Sequence, residues 1–324
     1  MRVLVTGADG FVASHLCEYL IRRGCYVIGL VRRTSGCRLK NIGHLSGKME
    51  IVWGDVTDAT QMRGVTYGVD VIFHLAAMSH VAYSIGNPEE AYLQNVIGGF
   101  NILEASRDND VKRIVHAGSA EVYGTMADEL LTEKDPLLPR SAYAASKASV
   151  DRLMYAYWCS YRTPVVMARF FGIYGPRQSP EKAIPKFIGQ VFSGSPITIY
   201  GDGRQTRDYM YVADCVEAYG KLGLDAGSEV IGEVVNVARG DRIEIGEVAK
   251  AIREAMAQFG VYVVGISYEG NLREAEAPHL ACDPKKIHTL IDWDPTVEFR
   301  TGISRTIGYY KAHPELFEGL GRRL

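Results

Sequence analysis

Cysteine is sparse in this chain and follows no pattern. The six cysteines (Cys17, Cys25, Cys37, Cys159, Cys215 and Cys282) are scattered without a Cys-x-x-Cys pair. That argues against a zinc site or a dithiol redox motif, and no metal is expected. A disulfide framework is not expected in a chain of 324 residues, so a reducing cytoplasm is the expected location. An excess of one charge is missing too: 36 Lys and Arg stand against 38 Asp and Glu, a net charge of -2. Without a basic excess there is no case for a nucleic-acid partner. Without a strong acidic excess there is none for a disordered chain. No apolar run is long enough to cross a bilayer, so no membrane partner is expected. The chain opens on RVLVTG, which reads as a buried strand and not as a secretory leader. Internal repeats and low-complexity stretches are lacking.

What is there is an alternation of short apolar runs with amphipathic stretches. Arg2–Thr6, Tyr26–Val31, Glu50–Trp53, Val71–Leu75, Arg113–Ala117 and Pro164–Arg169 are rich in Val, Ile and Leu with little polar alternation. Strands buried on both faces read this way. Helices are predicted at Val12–Arg23, Pro88–Ser106 and Ala142–Tyr161. Alternating β and α with right-handed crossovers gives an α/β fold, a Rossmann-type doubly wound parallel sheet. The rhythm loosens after Arg169. Gly194–Arg204 reads as a strand between loops, and helical patterns return at Val212–Leu224, Glu244–Gln258 and Thr301–Ala312. Residues 1–170 are therefore expected to form a dinucleotide-binding domain and 171–324 a smaller α/β substrate domain. Segments near 205–238 are expected to return to the first, Val234–Val237 as a strand of its sheet.

The first strand leads into Thr6-Gly7-Ala8-Asp9-Gly10-Phe11-Val12-Ala13. Gly7 permits a tight strand-to-helix turn, Gly10 lets the backbone approach a pyrophosphate, and Ala13 lets the helix pack closely on the strand. The helix N-terminus then faces the anion. Sites for NAD place an acid after the second strand. Here Val31 is followed by Arg32, Arg33, Thr34 and Ser35. Guanidinium groups suit a 2′-phosphate, so NADP is the expected cofactor, with NAD the alternative. The plainer reading makes Arg32 and Arg33 a solvated loop face. Asp55, after the third strand, is positioned either to accept from the adenine amino group or to cap the next helix.

Tyr143 and Lys147 stand four apart in a helical pattern and share a face. An ammonium beside a phenol favours the phenolate, so Lys147 is expected to lower the Tyr143 pKa and make it a proton acceptor. By itself such a pair is common. Ser119 and Glu121, however, follow the fifth strand, whose carboxyl end should line the ligand crevice. Ser119 suits a hydrogen bond to a substrate hydroxyl, and Glu121 is a further base or a surface acid.

The motifs together resemble the extended short-chain dehydrogenase/reductase family, in its nucleotide-sugar group. They are TGADGF at the turn, HLAAMSH at His74–His80, QNVIG at Gln94–Gly98, GSAEVYG, SAYAASKAS around Tyr143, RFFGIYGPRQ from Arg169, GDGRQTRDYMYVADC from Gly201 and LREAEAPHLACDPKKI near the C-terminus. Three stretches (LVRRTS, AAMSHVAYS and Ser-x-Glu-x-Tyr-Gly) are most similar to GDP-mannose 4,6-dehydratases and their relatives. The resemblance implies catalysis by Ser119, Glu121, Tyr143 and Lys147. It implies cofactor contacts from Gly7, Asp9, Gly10, Phe11, Val12, Arg32, Arg33, Asp55, Val56, Leu75, Ala76, Ala77, Tyr143 and Lys147. Substrate contacts would come from Ser79, His80, Ser119, Glu121, Arg207 and Arg273, with the two arginines on the diphosphate.

The activity so implied is conversion of a nucleotide-diphosphate sugar to a 4-keto-6-deoxy sugar by internal hydride transfer, in a homodimer. The alternatives are a 4-epimerase, a 4-keto sugar reductase, a UDP-glucuronate decarboxylase and, outside enzymes, an NADP-sensing regulator. Two positions depart from relatives. Ala120 stands where dTDP-glucose dehydratases carry Asp, and Gly172 where many relatives carry a substrate-contacting Asn.

Overall fold

A computed structural model describes residues 1–33, 39–125, 129–262, 265–270 and 277–317. Seven parallel strands form the central sheet: β1 (Arg2–Thr6), β2 (Tyr26–Val31), β3 (Glu50–Trp53), β4 (Val71–His74), β5 (Arg113–Ser119), β6 (Val165–Phe170) and, far along the chain, Val234–Val237. Numbering through the short strands β7 (Gly172–Tyr174), β8 (Ile197–Tyr200), β9 (Thr206–Arg207) and β10 (Tyr209–Tyr211) makes that last strand β11. The order across the sheet is β11-β6-β5-β4-β1-β2-β3. The chain winds outward from β1 to β3 and then returns to lay β4 against the other side of β1. A crevice opens at the carboxyl ends of the strands where the order reverses, and ligands bind there in sheets of this kind.

The apolar strands are explained by what covers them. In β1, Val3 and Val5 belong to one core with Leu16, Phe73 and Tyr219, while Leu4 between them belongs to another with Ile102, Val150 and Met154. Successive side chains point to opposite faces of a strand. Both faces are buried, by α1 (Phe11–Arg22) on one side and by α2 (Ala59–Val65) and later helices on the other. The sheet is thus doubly wound, as its composition predicts.

Three strands differ from expectation at their carboxyl ends, each for a local reason. β4 stops at His74 because Thr6 Oγ1 captures the backbone N–H groups of Leu75 (3.1 Å) and Ala76 (3.0 Å), which turns the chain out of the ladder. β5 runs on to Ser119 and β6 to Phe170 because Gly118 and Ser119 pair with Arg169 and Phe170. The helix expected at Pro88–Ser106 divides. After α3 (Val81–Gly86), α4 (Pro88–Ala91) passes through a π-helical segment, Tyr92–Ile97, into α5 (Gly98–Asp108). α6 (Ala142–Tyr161) has the expected bounds, with Ser141 as its cap accepting from Ala144 N–H.

Beyond β6 the strands are short. β7 pairs with β10, and β9 lies between β12 (Ile243–Glu244) and, beyond β13 (Ile266–Glu269), β14 (His279–Leu280); β8 pairs with β13. Between these strands run α7 (Ala183–Phe192), α8 (Val212–Leu224) and α9 (Ile245–Gln258), followed by α10 (Lys285–Ile291) and α11 (Phe299–Ala312). The strand expected within Gly194–Arg204 is β8, four residues long. No helix among the described residues is long and apolar enough to cross a membrane.

Candidate active site

One cavity of about 620 Å³ occupies the crevice. Its floor is the glycine turn. Gly7 has φ +70°, and a Cβ there would lie 3.0 Å from Ala76 Cα, so this turn has no room for a side chain. The same Thr6 hydroxyl that holds Leu75 and Ala76 donates to His74 Nδ1 at 2.9 Å, since its lone pairs already accept two N–H groups. Gly10 caps α1 with no side-chain cap bond, and the first turn carries no acid. A helix of twelve residues therefore presents open N–H groups and its positive dipole end to the cavity. Asp9 is tied down by Asn41, whose N–H donates to Asp9 Oδ1 at 2.9 Å. Gly7, Asp9, Gly10, Phe11, Val12, Arg32, Val56, Leu75, Ala76 and Ala77 all line the cavity. This cradle fits a dinucleotide: a shallow glycine floor, a helix N-terminus for the pyrophosphate and apolar walls.

Beside the cradle lie Ser119, Glu121, Tyr143 and Lys147. Ser119 ends β5 and caps a short 3-10 helix, accepting from Glu121 N–H at 3.2 Å. That turn aims Ser119 and Glu121 into the same space. The Ser119 side chain stands close enough to the Tyr143 phenol to favour its ionised form. Burial pushes that phenol up to about 12, opposed by Ser119 and assisted by the Glu121 charge. The expectation that Lys147 pulls Tyr143 towards neutrality needs correction here. Lys147 Nζ donates to the Ala117 carbonyl, 2.8 Å away, and burial lowers its own amine to about 8. Desolvation disfavours the charged form of both groups and dominates this site.

Two buried arrangements hold α6 in place. Asn95, on the π-helical segment, accepts from Met78 N–H (2.8 Å) and donates to Met78 O (3.1 Å) and Ser146 Oγ (2.8 Å). It thereby pins the loop after β4 to the turn of helix carrying Tyr143 and Lys147. Such π insertions are frequent at functional sites. Arg169, 1% exposed, forks onto Asp151 at 2.8 and 2.9 Å and donates to Tyr123 Oη at 2.7 Å. Tyr123 in turn donates to Asn236 Oδ1 at 2.7 Å. The chain of contacts joins the turn after β5 to α6, β6 and β11.

The substrate side is mixed. Ser79 and Arg207 line the cavity, and Arg207 Nη1 donates to the carbonyls of Thr206 (2.9 Å) and Pro278 (3.2 Å). His80, Asp55 and Arg33 lie outside the lining. His80 Nδ1 accepts from Tyr83 N–H at 3.1 Å as the cap of α3, and its Nε2 pairs with Glu181 at 3.0 Å. Asp55 closes a turn on Thr57, accepting from its N–H and hydroxyl at 2.9 Å. It does not cap the next helix; Asp58 does, accepting from Gln61 N–H. Arg273, Thr34, Ser35 and Cys37 lie outside the described residues.

Gln94, Gln178, Lys182 and Tyr209 line the cavity without having been expected there. Gln94, Gln178 and Tyr209 lie within the family motifs and Lys182 four residues beyond one, but no spacing singled them out. Gly172 lines the cavity too. Among the described residues no cluster of three His, Cys, Asp or Glu is arranged to hold a metal ion.

A family model described as GDP-mannose 4,6 dehydratase matches residues 4–306. The human dTDP-D-glucose 4,6-dehydratase is 32% identical over 325 residues, covering 96% of this chain and 90% of its own. Among solved structures, DesIV, a dTDP-glucose 4,6-dehydratase from Streptomyces venezuelae with NAD and TYD bound, superposes with a TM-score of 0.91 at 31% identity, over 99% of this chain and all of that one. The UDP-glucuronic acid 4-epimerase of Bacillus cereus, in complex with UDP-glucuronic acid and NAD, superposes with a TM-score of 0.88 at 28% identity, over 97% of this chain and all of that one.

Proposed function

Because the chain belongs to the GDP-mannose 4,6-dehydratase family, within the nucleotide-sugar group of the extended short-chain dehydrogenases/reductases, we propose that it is a nucleotide-sugar 4,6-dehydratase. The observation that carries this reading is Glu121, which lines the same cavity as Tyr143 and acts on its charge. Inverting C4 needs a proton acceptor at O4 and a hydride carrier. It needs no carboxylate beyond them. Removing the C5 proton does.

We propose NADP as the cofactor, cradled by Gly7, Gly10 and the start of α1, with Arg32 as the residue selecting the 2′-phosphate. NAD, found in the neighbours, is the competing ligand. When bound, the oxidised nicotinamide supplies a hydride acceptor, later a donor, and a positive charge that favours the tyrosinate in this desolvated site. Tyr143 takes the proton of the C4 hydroxyl, with Ser119 orienting it. The 4-ketone acidifies C5, and Glu121 removes that proton. Water departs from C6, and Glu121 returns its proton to C5. The floor of buried strands keeps bulk water from the reacting carbons.

Residues 1–170 with β11 are assigned to the dinucleotide and 171–324 to the nucleotide sugar. A homodimer is proposed on the exposed apolar side chains Leu93, Ile97 and Phe100 beside α6. A cytoplasmic location belongs to the same reading. The test is a panel of GDP-mannose, dTDP-glucose, UDP-glucose, CDP-glucose, UDP-N-acetylglucosamine and UDP-glucuronate with catalytic NADP, followed by mass spectrometry. Loss of one water from one substrate is the expected result. Loss of carbon dioxide, or an unchanged mass, points to a decarboxylase or an epimerase instead.

A further inference from the structure

Expelling hydroxide from C6 needs a proton for the leaving oxygen, and the other carboxyl among the described lining residues, Asp9, sits at the glycine turn and accepts from Asn41 N–H. Position 120, next to Glu121, is a buried alanine. Glu121 is occupied as base at C5 while the C6–O bond breaks. Ser119 accepts from Glu121 N–H and faces the Tyr143 phenol, and Lys147 is anchored on Ala117 O.

Lys182, in the position before α7, lines the same cavity. Its Nζ crosses to the loop after β4 and donates to Ser79 O at 3.3 Å. The adjoining pair, His80 and Glu181, ties the same two segments together at 3.0 Å. Lys182 is thus held by neighbouring cross-links, half-buried in the cavity wall, within the electrostatic reach of Glu121.

We propose that Lys182 is the general acid that protonates the departing C6 oxygen. The inference rests on the dehydratase reading. In the elimination step the C5–H bond breaks to Glu121 and its electron pair forms the C5–C6 double bond. The C6–O bond breaks, and the oxygen takes a proton from the Lys182 ammonium to leave as water. Over a full cycle Tyr143 has gained one proton and Lys182 has lost one, so exchange through solvent resets both with no outside reductant or oxidant. Desolvation pulls the Lys182 amine below the ordinary lysine range, against the opposing charges of Glu121 and Glu181. An ammonium shifted towards neutrality is a better donor at working pH. A guanidinium keeps the charge but does not give up its proton.

The test compares Lys182→Met and Lys182→Arg with the unaltered protein. The probes are GDP-mannose, or whichever of dTDP-glucose and UDP-glucose the unaltered protein dehydrates, and its 6-deoxy-6-fluoro counterpart. Both variants should still oxidise C4 and exchange the C5 hydrogen in deuterated water. Water loss should fall about 100-fold or more, the lower end of general-acid contributions. Fluoride leaves without full protonation, so elimination from the fluoro sugar should recover most of that loss. A rise in KM with kcat intact, or equal losses on both sugars, overturns the proposal by making Lys182 a substrate-holding residue. Full turnover in Lys182→Met also overturns it while leaving the dehydratase reading standing. No water loss from any of these sugars by the unaltered protein removes both.

Discussion

The Cβ that Gly172 lacks would lie 2.7 Å from the carbonyl oxygen of Asp208. β7 and β10 approach so closely at this point that the Tyr209 ring stands 3.1 Å from the same position. Glycine here is not merely a missing contact, because the backbone has filled the space a larger residue would use. Gly172→Asn should therefore push β10 away and carry Arg207 and Tyr209 with it. A loss of roughly 1–3 kcal/mol is expected for such overpacking, read as a lower melting temperature. KM for the nucleotide sugar should rise as well. An unchanged KM would mean that the β7–β10 edge does not shape the substrate cleft.

Glu121 separates dehydration from oxidation. Glu121→Gln should leave C4 oxidation in place and abolish water loss, with a fall of about 100-fold or more in turnover. A transient absorbance of reduced cofactor without product would report this. Unimpaired turnover would end the role assigned to Glu121.

Lys147 makes activity and stability run in opposite directions with pH. Its folded value is about 8, below the ordinary 10.5, so the folded chain gives up this proton first as pH rises. If the ammonium is needed, kcat/KM falls above about pH 8. Between about 8 and 10.5 the unfolded chain binds more protons, so this group makes stability rise with pH in that window. Lys147→Met should remove that rise, measured by denaturant unfolding at pH 8 and pH 10. Identical slopes in both proteins would contradict the desolvated lysine.

Breaking the Arg169–Asp151 pair should be costly because it leaves the buried Asp151 carboxylate with only the half-exposed Arg152 as its cationic partner. Arg169→Met leaves Asp151 without its buried fork but with Arg152, so the expected loss is below the roughly 3–5 kcal/mol of a fully unpaired buried charge. Asp151 lies on α6, eight residues beyond Tyr143, so cofactor affinity should fall together with stability. A double Asp151→Leu, Arg169→Met variant should recover part of the stability. If the single variant unfolds at the same denaturant concentration as the unaltered protein, the network does not hold α6.

The exposed side chains of Leu93, Ile97 and Phe100 give the dimer its test. Leu93→Glu with Phe100→Glu should yield a monomer by light scattering if that face pairs with a second copy. A dimer that survives both charges places the interface elsewhere.

The sequence by itself determined the strands of the central sheet, α6, the glycine turn and the common helix face of Tyr143 and Lys147. The reason is local. Strands buried on both faces must be apolar throughout, a tight turn needs glycine, and residues four apart on a helix share a face whatever surrounds them. Only the tertiary structure decided the rest. Strands of two or three residues, such as β9 and β10, are too short to carry a period. Asn95 matters because a π-helical segment brings it to Met78 and Ser146, residues far from it in sequence. Lys182 reaches the cleft through a contact with Ser79, 103 residues away. Tyr143 and Lys147 share a helix face by sequence, but their proton affinities follow from burial and from Ala117 and Ser119, which only the folded chain brings to them.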